Sequence, residues 1–415
     1  LGLARAAEKE LSSGVNVGEV ITTAALLKGL LLVPFIIGIY LTQSFIDSYI
    51  GIQGVGLLVA VGLIIGQTRR LAIRLLAGQM RVDRTASLRL AGKLTWLVVS
   101  VALIHTGMDA MSILVGFIVG DVVIVLGALP FLELAFERPT IERAHKLLSF
   151  GYYITLRSAG GYIYSWLDVA ILGFFVPNAS IGAYEIAWRV AAVFLQLTNA
   201  IRESIFPRIS QLNASENTSE IRTIVFRWLQ LPVYLTIPGF FGAIVLGESV
   251  LGVPFGNEVI VAAPVLVIFM AEKIIRSGHL LFSATIYAMD RPELGYRAEL
   301  VGLGLNLILN LALIPAFGII GAATATTTSS VLATFINGYY LEQLIGLQFP
   351  LRRFSWSLVS AFIMGVGVYL AEPYLPLGWV GLLIGVTIGA VFYTSLLMMN
   401  GSIREEISSL RTSIS

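Results

Sequence analysis

The chain contains no cysteine, which excludes a disulfide framework, a thiolate nucleophile and a cysteine-ligated metal. Charge is scarce: 13% of the 415 residues are Asp, Glu, Lys or Arg, where roughly 25% is usual in soluble proteins. Histidine is limited to His105, His145 and His279, on separate segments with no metal-site spacing. No Gly-rich loop ends in Lys followed by Ser or Thr, so there is no Walker-type nucleotide site. The formal net charge is +2, from 27 basic and 25 acidic residues, which leaves no field to attract nucleic acid. Nucleic acid is therefore not an expected partner, and no cofactor is expected. What the chain does have is apolar sequence, 57% of the whole against about 45–50% in soluble proteins. An ordinary soluble domain and a disordered chain are excluded, and a polytopic membrane protein remains.

Twelve stretches are long and apolar enough to span or half-span a bilayer: roughly 19–41, 52–74, 88–107, 110–132, 149–175, 181–206, 223–247, 258–284, 298–316, 319–341, 354–372 and 378–399. They lack strict apolar/polar alternation, so membrane strands are excluded and the expected fold class is all-α, an integral membrane helical bundle. The connections then alternate in charge. One side carries Arg5 and Lys9; Arg69, Arg70, Arg74, Arg81, Arg84 and Arg89; Arg138, Arg143 and Lys146; and further arginines through Arg404 and Arg411. The other side, near 42–51, 108–109, 176–180, 248–257, 317–318 and 373–377, has no Lys or Arg. The positive-inside rule predicts both termini of this chain on the cytoplasmic face of a cell (plasma or inner) membrane. The chain opens at Leu1 without a signal peptide, and Leu1–Gly18 reads either as a cytoplasmic tail or as the exit from an upstream helix. The link 135–146 is the expected internal boundary, dividing four helices from eight.

No outer connection exceeds about a dozen residues, and the first offers Asp47 as its only acid. That speaks against a glycosyltransferase, and the chain is not expected to be an enzyme. The sequons at Asn213, Asn217 and Asn400 fall on the cytoplasmic side of this topology, and Asn178 hugs the membrane.

Ionisable residues inside a bilayer are costly and mark functional sites or structural ion pairs. The basic set is Lys28, Arg157, Arg189, Lys273 and Arg276; the acidic set is Asp121, Asp168, Glu185 and Glu272. Glu185 and Arg189 have favourable i,i+4 spacing, as do Glu272 and Arg276. Lys28 has no acid within four residues, so its partner comes from another helix or a ligand. Arg157 and Asp168 are three turns apart and too distant to pair directly. Lys28, Arg157, Lys273 and Arg276 fall in the middle or cytoplasmic half of their spans, which suits a phosphate or pyrophosphate group. The alternative is that Lys28 snorkels and the others pair between helices. Asp121, Asp168, Glu185, Arg189 and Glu272 are candidates for ion coupling or conformational pairing. Pro34, Pro232, Pro238 and Pro264 lie inside expected spans, and the small-residue run from Gly321 to Ser330 reads as a tight helix–helix face.

Three motifs carry a resemblance. They are Leu167-Asp-Val-Ala-Ile-Leu-Gly-Phe-Phe followed by Ile181-Gly-Ala-Tyr-Glu-Ile-Ala-Trp-Arg; Ala200-Ile-Arg-Glu-Ser-Ile-Phe-Pro-Arg-Ile-Ser; and Leu305-Asn-Leu-Ile-Leu-Asn-Leu-Ala-Leu-Ile-Pro running into Phe317-Gly-Ile-Ile-Gly-Ala-Ala-Thr-Ala-Thr. In order and spacing the chain resembles the polysaccharide-exporter branch of the multidrug/oligosaccharidyl-lipid/polysaccharide flippase superfamily. The resemblance implies two six-helix lobes and two extra helices. The expected divisions are a partial N-terminal lobe of four helices at 1–134, the linker 135–146, a six-helix C-terminal lobe at 147–346, and two extra helices with a cytoplasmic tail at 347–415. On that template the first lobe lacks its first two helices, and the start at Leu1 reads like the exit of one.

The resemblance further implies flipping of a polyprenyl phosphate- or pyrophosphate-linked oligosaccharide from the cytoplasmic to the outer leaflet by alternating access, for polysaccharide export or protein glycosylation. The partners it implies are the lipid-linked oligosaccharide, membrane lipids, glycosyltransferases or export machinery of the same pathway, and H+ or Na+ for coupling. A cation-coupled multidrug antiporter of the same superfamily is the alternative, with Asp168, Glu185 and the aromatic stretch 162–166 carrying the load. A membrane glycan polymerase or transferase is a second alternative, disfavoured by the short outer loops.

Overall fold

Inside a bilayer, long apolar runs satisfy their backbone polar groups as helices, and every long element among the described residues is α-helical. The computed structural model describes residues 2–12, 16–133, 135, 137–346, 351–401 and 403–405, with the side chains of 82, 153–154, 156–165 and 351 outside that description. It divides into two units, Leu1–Ile163 and Tyr164–Ser415.

The first unit contains α1 (Leu3–Ser12), α2 (Val17–Leu41), α3 (Gln43–Ile50), α4 (Val55–Gly78), α5 (Val82–Ile104), α6 (Asp109–Ala128) and the first part of α7 (Ile141–Leu172). Its core joins Leu3, Ala7 and Leu11 of α1 to Leu71, Leu75 and Leu147. Asn16 starts α2 by accepting the Gly18 N–H at 3.1 Å. The Asp47 carboxylate of α3 accepts the Gly54 and Gly56 N–H groups at 2.8 Å each, so the acid of the first outer connection caps α4, where the helix dipole favours a negative charge. α5 and α6 approach closely because small residues line the seam: a Cβ on Gly120 would fall 2.5 Å from the Gly92 carbonyl oxygen. Basic residues expected on the cytoplasmic side are ion-paired here. Arg143 bonds Glu10 at 2.5 Å and Glu19 at 3.2 Å, Lys146 meets Glu10 at 3.3 Å, and Arg74 meets Glu8 at 2.7 Å.

The second unit takes the end of α7, then α8 (Asn178–Ala192), α9 (Gln196–Ala214), α10 (Thr218–Phe255), α11 (Ala263–Ala288), α12 (Pro292–Ile345), α13 (Leu351–Ala371) and α14 (Trp379–Met398). α12 is a hairpin of two arms. Gly318, at φ 54° and ψ −130°, reverses the chain in a conformation that side-chain-bearing residues avoid, at the expected outer connection 317–318. Leu266, Phe269 and Met270 of α11 centre one core with Leu172, Tyr184, Ala187 and Ala323. Ile209, Ile221, Leu281 and Ile286 belong to another.

Eight helices among the described residues are long and apolar enough to cross a membrane. One of them is the α12 hairpin. With its arms taken separately, and with α7, the α8–α9 pair and α11 added, the twelve expected stretches are accounted for. Two local readings differ. Pro264 sits in the first turn of α11, where its missing N–H costs nothing, whereas Pro34, Pro232 and Pro238 lie within helices. The span expected over 181–206 is two helices joined by a 3₁₀ turn at Val193–Leu195.

Candidate functional sites

In the first unit, Lys28 lies near the middle of α2 and is 3% exposed. Its Nζ has no hydrogen-bond partner among the described residues, and Arg70 of α4 is close enough to repel it. Thr23 Oγ1 on α2 and Gln67 Oε1 on α4 are also buried without partners. An unpaired cation at this depth is costly, so the site calls for an anionic group that these residues do not supply. Asp121 of α6 bonds Arg69 of α4, with Nε 2.8 Å from Oδ1; the second carboxylate oxygen is buried and unpartnered. The Arg157 side chain lies outside the described residues.

In the second unit, Asp168 is 8% exposed near the end of α7. It accepts from Tyr184 Oη at 2.8 Å, from Asn310 Nδ2 at 2.5 Å and from Thr326 Oγ1. Asn310 Nδ2 also bonds Asn306 Oδ1 at 3.1 Å, and Asn306 Nδ2 bonds Thr326 Oγ1 at 3.2 Å. Among the described residues no cation pairs with this carboxylate; neutral donors from α8 and both arms of α12 hold it. Asn310 Oδ1 is left buried without a partner beside it.

Glu272 and Lys273 of α11 form a buried pair, Nζ to Oε2 at 2.5 Å, each side chain 3% exposed. Ser330 of α12 donates to the other Glu272 oxygen at 3.1 Å. Arg276, for which an i,i+4 pairing with Glu272 is expected, is half-buried within electrostatic range of His279. His279 Nδ1 meets Asn337 Nδ2 at 3.3 Å. The two contacts between α11 and the second arm of α12 thus recur seven residues apart on each helix, which makes these helices parallel and fixes their register. Glu185 and Arg189 of α8 bond at 3.3 Å, as their spacing predicts, with the Arg189 side chain 67% exposed.

Sequence reasoning singled out Asp168 but not Tyr184, Asn306, Asn310 or Thr326 as its partners. The signals were present: an i,i+4 Asn pair in an otherwise apolar run and hydroxyls in the small-residue stretch. The two asparagines fall one turn apart and present one polar face, whereas the hydroxyls are nearly consecutive and mark no single face.

Residues 10–264 match the family described as "Polysaccharide biosynthesis protein". The chain is 33% identical over 405 residues to Agl15 of Haloferax volcanii, named a probable low-salt glycan biosynthesis flippase; the match covers 97% of this chain and 86% of that protein. It is 30% identical over 404 residues to AglR of the same organism, named a probable flippase, covering 96% and 84%. Among solved structures, the inward closed lipid II flippase MurJ superimposes with a TM-score of 0.77 at 14% identity over 96% of this chain and 89% of that one. An inward-facing multidrug resistance transporter of the MOP superfamily superimposes at 0.68 and 12% identity, over 83% and 86%. At these identities the two structures are alike in fold.

Proposed function

The chain belongs to the polysaccharide biosynthesis protein family, and on that premise we propose that it flips a polyprenyl phosphate- or pyrophosphate-linked glycan from the cytoplasmic to the outer leaflet by alternating access. The observation that carries this reading is the Lys28 ammonium, buried near mid-helix with no partner among the described residues. A lipid-linked glycan has two parts that a bilayer rejects, a charged phosphate and a hydroxyl-rich sugar. A buried lysine offers the phosphate a point charge where water is excluded and where the interaction is strong. The lipid tail needs no such site, because hydrocarbon already solvates it. Flipping breaks no covalent bond, so the chain acts as a transporter.

Directional transport needs a second ligand that biases one conformation. Asp168 is the proposed coupling residue, taking H+ or Na+. Its carboxylate accepts from Asn310 Nδ2 and Thr326 Oγ1, so both arms of α12 meet there. Lys273 and Arg276 complete the proposed basic set with Arg157; Asp121, Glu185, Arg189 and Glu272 hold conformational pairs. The proposed setting is the plasma membrane with both termini of this chain cytoplasmic, beside glycosyltransferases of the same pathway. The proposed divisions are two lobes at 1–134 and 147–346 and an extra helix pair at 347–415.

Deleting the full-length gene and labelling each leaflet selectively tests the reading. Lipid-linked oligosaccharide is expected to accumulate on the cytoplasmic leaflet, with loss of surface glycan, and the intact gene restores both. Absence of accumulation contradicts flipping.

A further inference from the structure

We infer that Trp188 is the surface on which a sugar ring of the cargo stacks, an inference that rests on the flippase reading and extends it to recognition of the glycan itself. α8 has two unlike faces. Ala183, Tyr184, Ala187 and Ala191 are buried, while Glu185, Trp188 and Arg189 fall within one turn on the other side. Glu185 and Arg189 bond each other at 3.3 Å, and the arginine stays 67% exposed. A charged pair on a membrane helix faces an aqueous space rather than lipid tails. Trp188, on the flank of that stripe and 39% exposed, borders the same space.

The ring is also held. Lys273 Nζ lies 5.6 Å from the Trp188 ring centroid and 5.3 Å from that of Phe269. Lys273 is itself fixed by Glu272 at 2.5 Å, and Phe269 meets Tyr184 edge-to-face at 5.2 Å. A cation that is itself held in place therefore anchors one side of Trp188, which costs little entropy when a ligand arrives on the open side. A pyranose is amphipathic in the same way, with a C–H face and a hydroxyl rim. The indole accepts the face, and Glu185 and Arg189 are placed to accept from and donate to the rim. Tyr184 donates to Asp168 at 2.8 Å, so the helix that would carry the sugar contact also carries a ligand of the proposed coupling residue.

The test uses the full chain in nanodiscs, with dolichyl phosphate and dolichyl phosphate-linked glucose as probes and thermal unfolding as a folding control. Wild type is expected to bind the glucose-bearing lipid more tightly than the bare phosphate. Trp188→Ala is expected to remove that preference, a loss of about fivefold to tenfold in affinity for the glucosylated lipid, while Trp188→Phe retains most of it. A preference that survives in Trp188→Ala, or affinity for both lipids falling equally, overturns the stacking role. No preference in wild type overturns it too, while phosphate binding and flipping still stand. Failure of wild type to bind either lipid overturns the flippase reading and this inference together.

Discussion

The two units each bury a lysine and treat it in opposite ways. The first buries a cation, Lys28, with no partner among the described residues and with Arg70 near enough to raise its cost. The second buries an anion, Asp168, and surrounds it with three donors, and it buries a lysine, Lys273, only with a carboxylate 2.5 Å away. Membrane burial alone does not explain the difference, because all three helices bearing these groups are expected to span the same bilayer. A charge that is fully met is suited to holding shape or to releasing one small ion. A charge left open is suited to a large ligand that brings the opposite sign.

Four substitutions break or sharpen that contrast. The largest stability effect is expected from Glu272→Gln, which leaves Lys273 buried and unpaired and costs about 3–5 kcal/mol; thermal unfolding in detergent checks this, and adding Lys273→Met should recover most of the loss. Lys28→Met is expected to do the reverse. Removing an unpaired buried cation should stabilise the fold by about 1 kcal/mol or more, while transport falls by at least about tenfold, as expected when one charge-assisted bond to the cargo is lost. Asp168→Asn keeps the side-chain shape but weakens three charge-assisted bonds, with an expected cost of about 1–3 kcal/mol, and uptake should no longer depend on an imposed ion gradient. Glu185→Gln is expected to change stability by less than about 0.5 kcal/mol, since its partner is largely exposed.

Much of the bundle is legible in sequence, because the bilayer enforces helix length and apolar composition. Even the turn at Gly318 falls where two spans leave a gap. The Glu185–Arg189 bond is legible because its spacing is local. The surroundings of Asp168 are not, since its donors lie 16, 142 and 158 residues away and periodicity carries no information on which helices meet. The Glu272–Lys273 pair joins adjacent residues at 2.5 Å, a contact that helical-face arithmetic does not anticipate. Arg69 reads as part of a basic run at a membrane edge, yet it lies within α4 and pairs with Asp121 on another helix, which local spacing does not reveal.

The most direct test of the open charge is the rate at which the full-length protein in sealed liposomes exposes a glucosylated dolichyl phosphate to a membrane-impermeant reagent, compared between wild type and Lys28→Met. The account predicts rapid exposure for wild type and near-background exposure for a variant that is folded and at least as stable. Equal rates in the two proteins would contradict it.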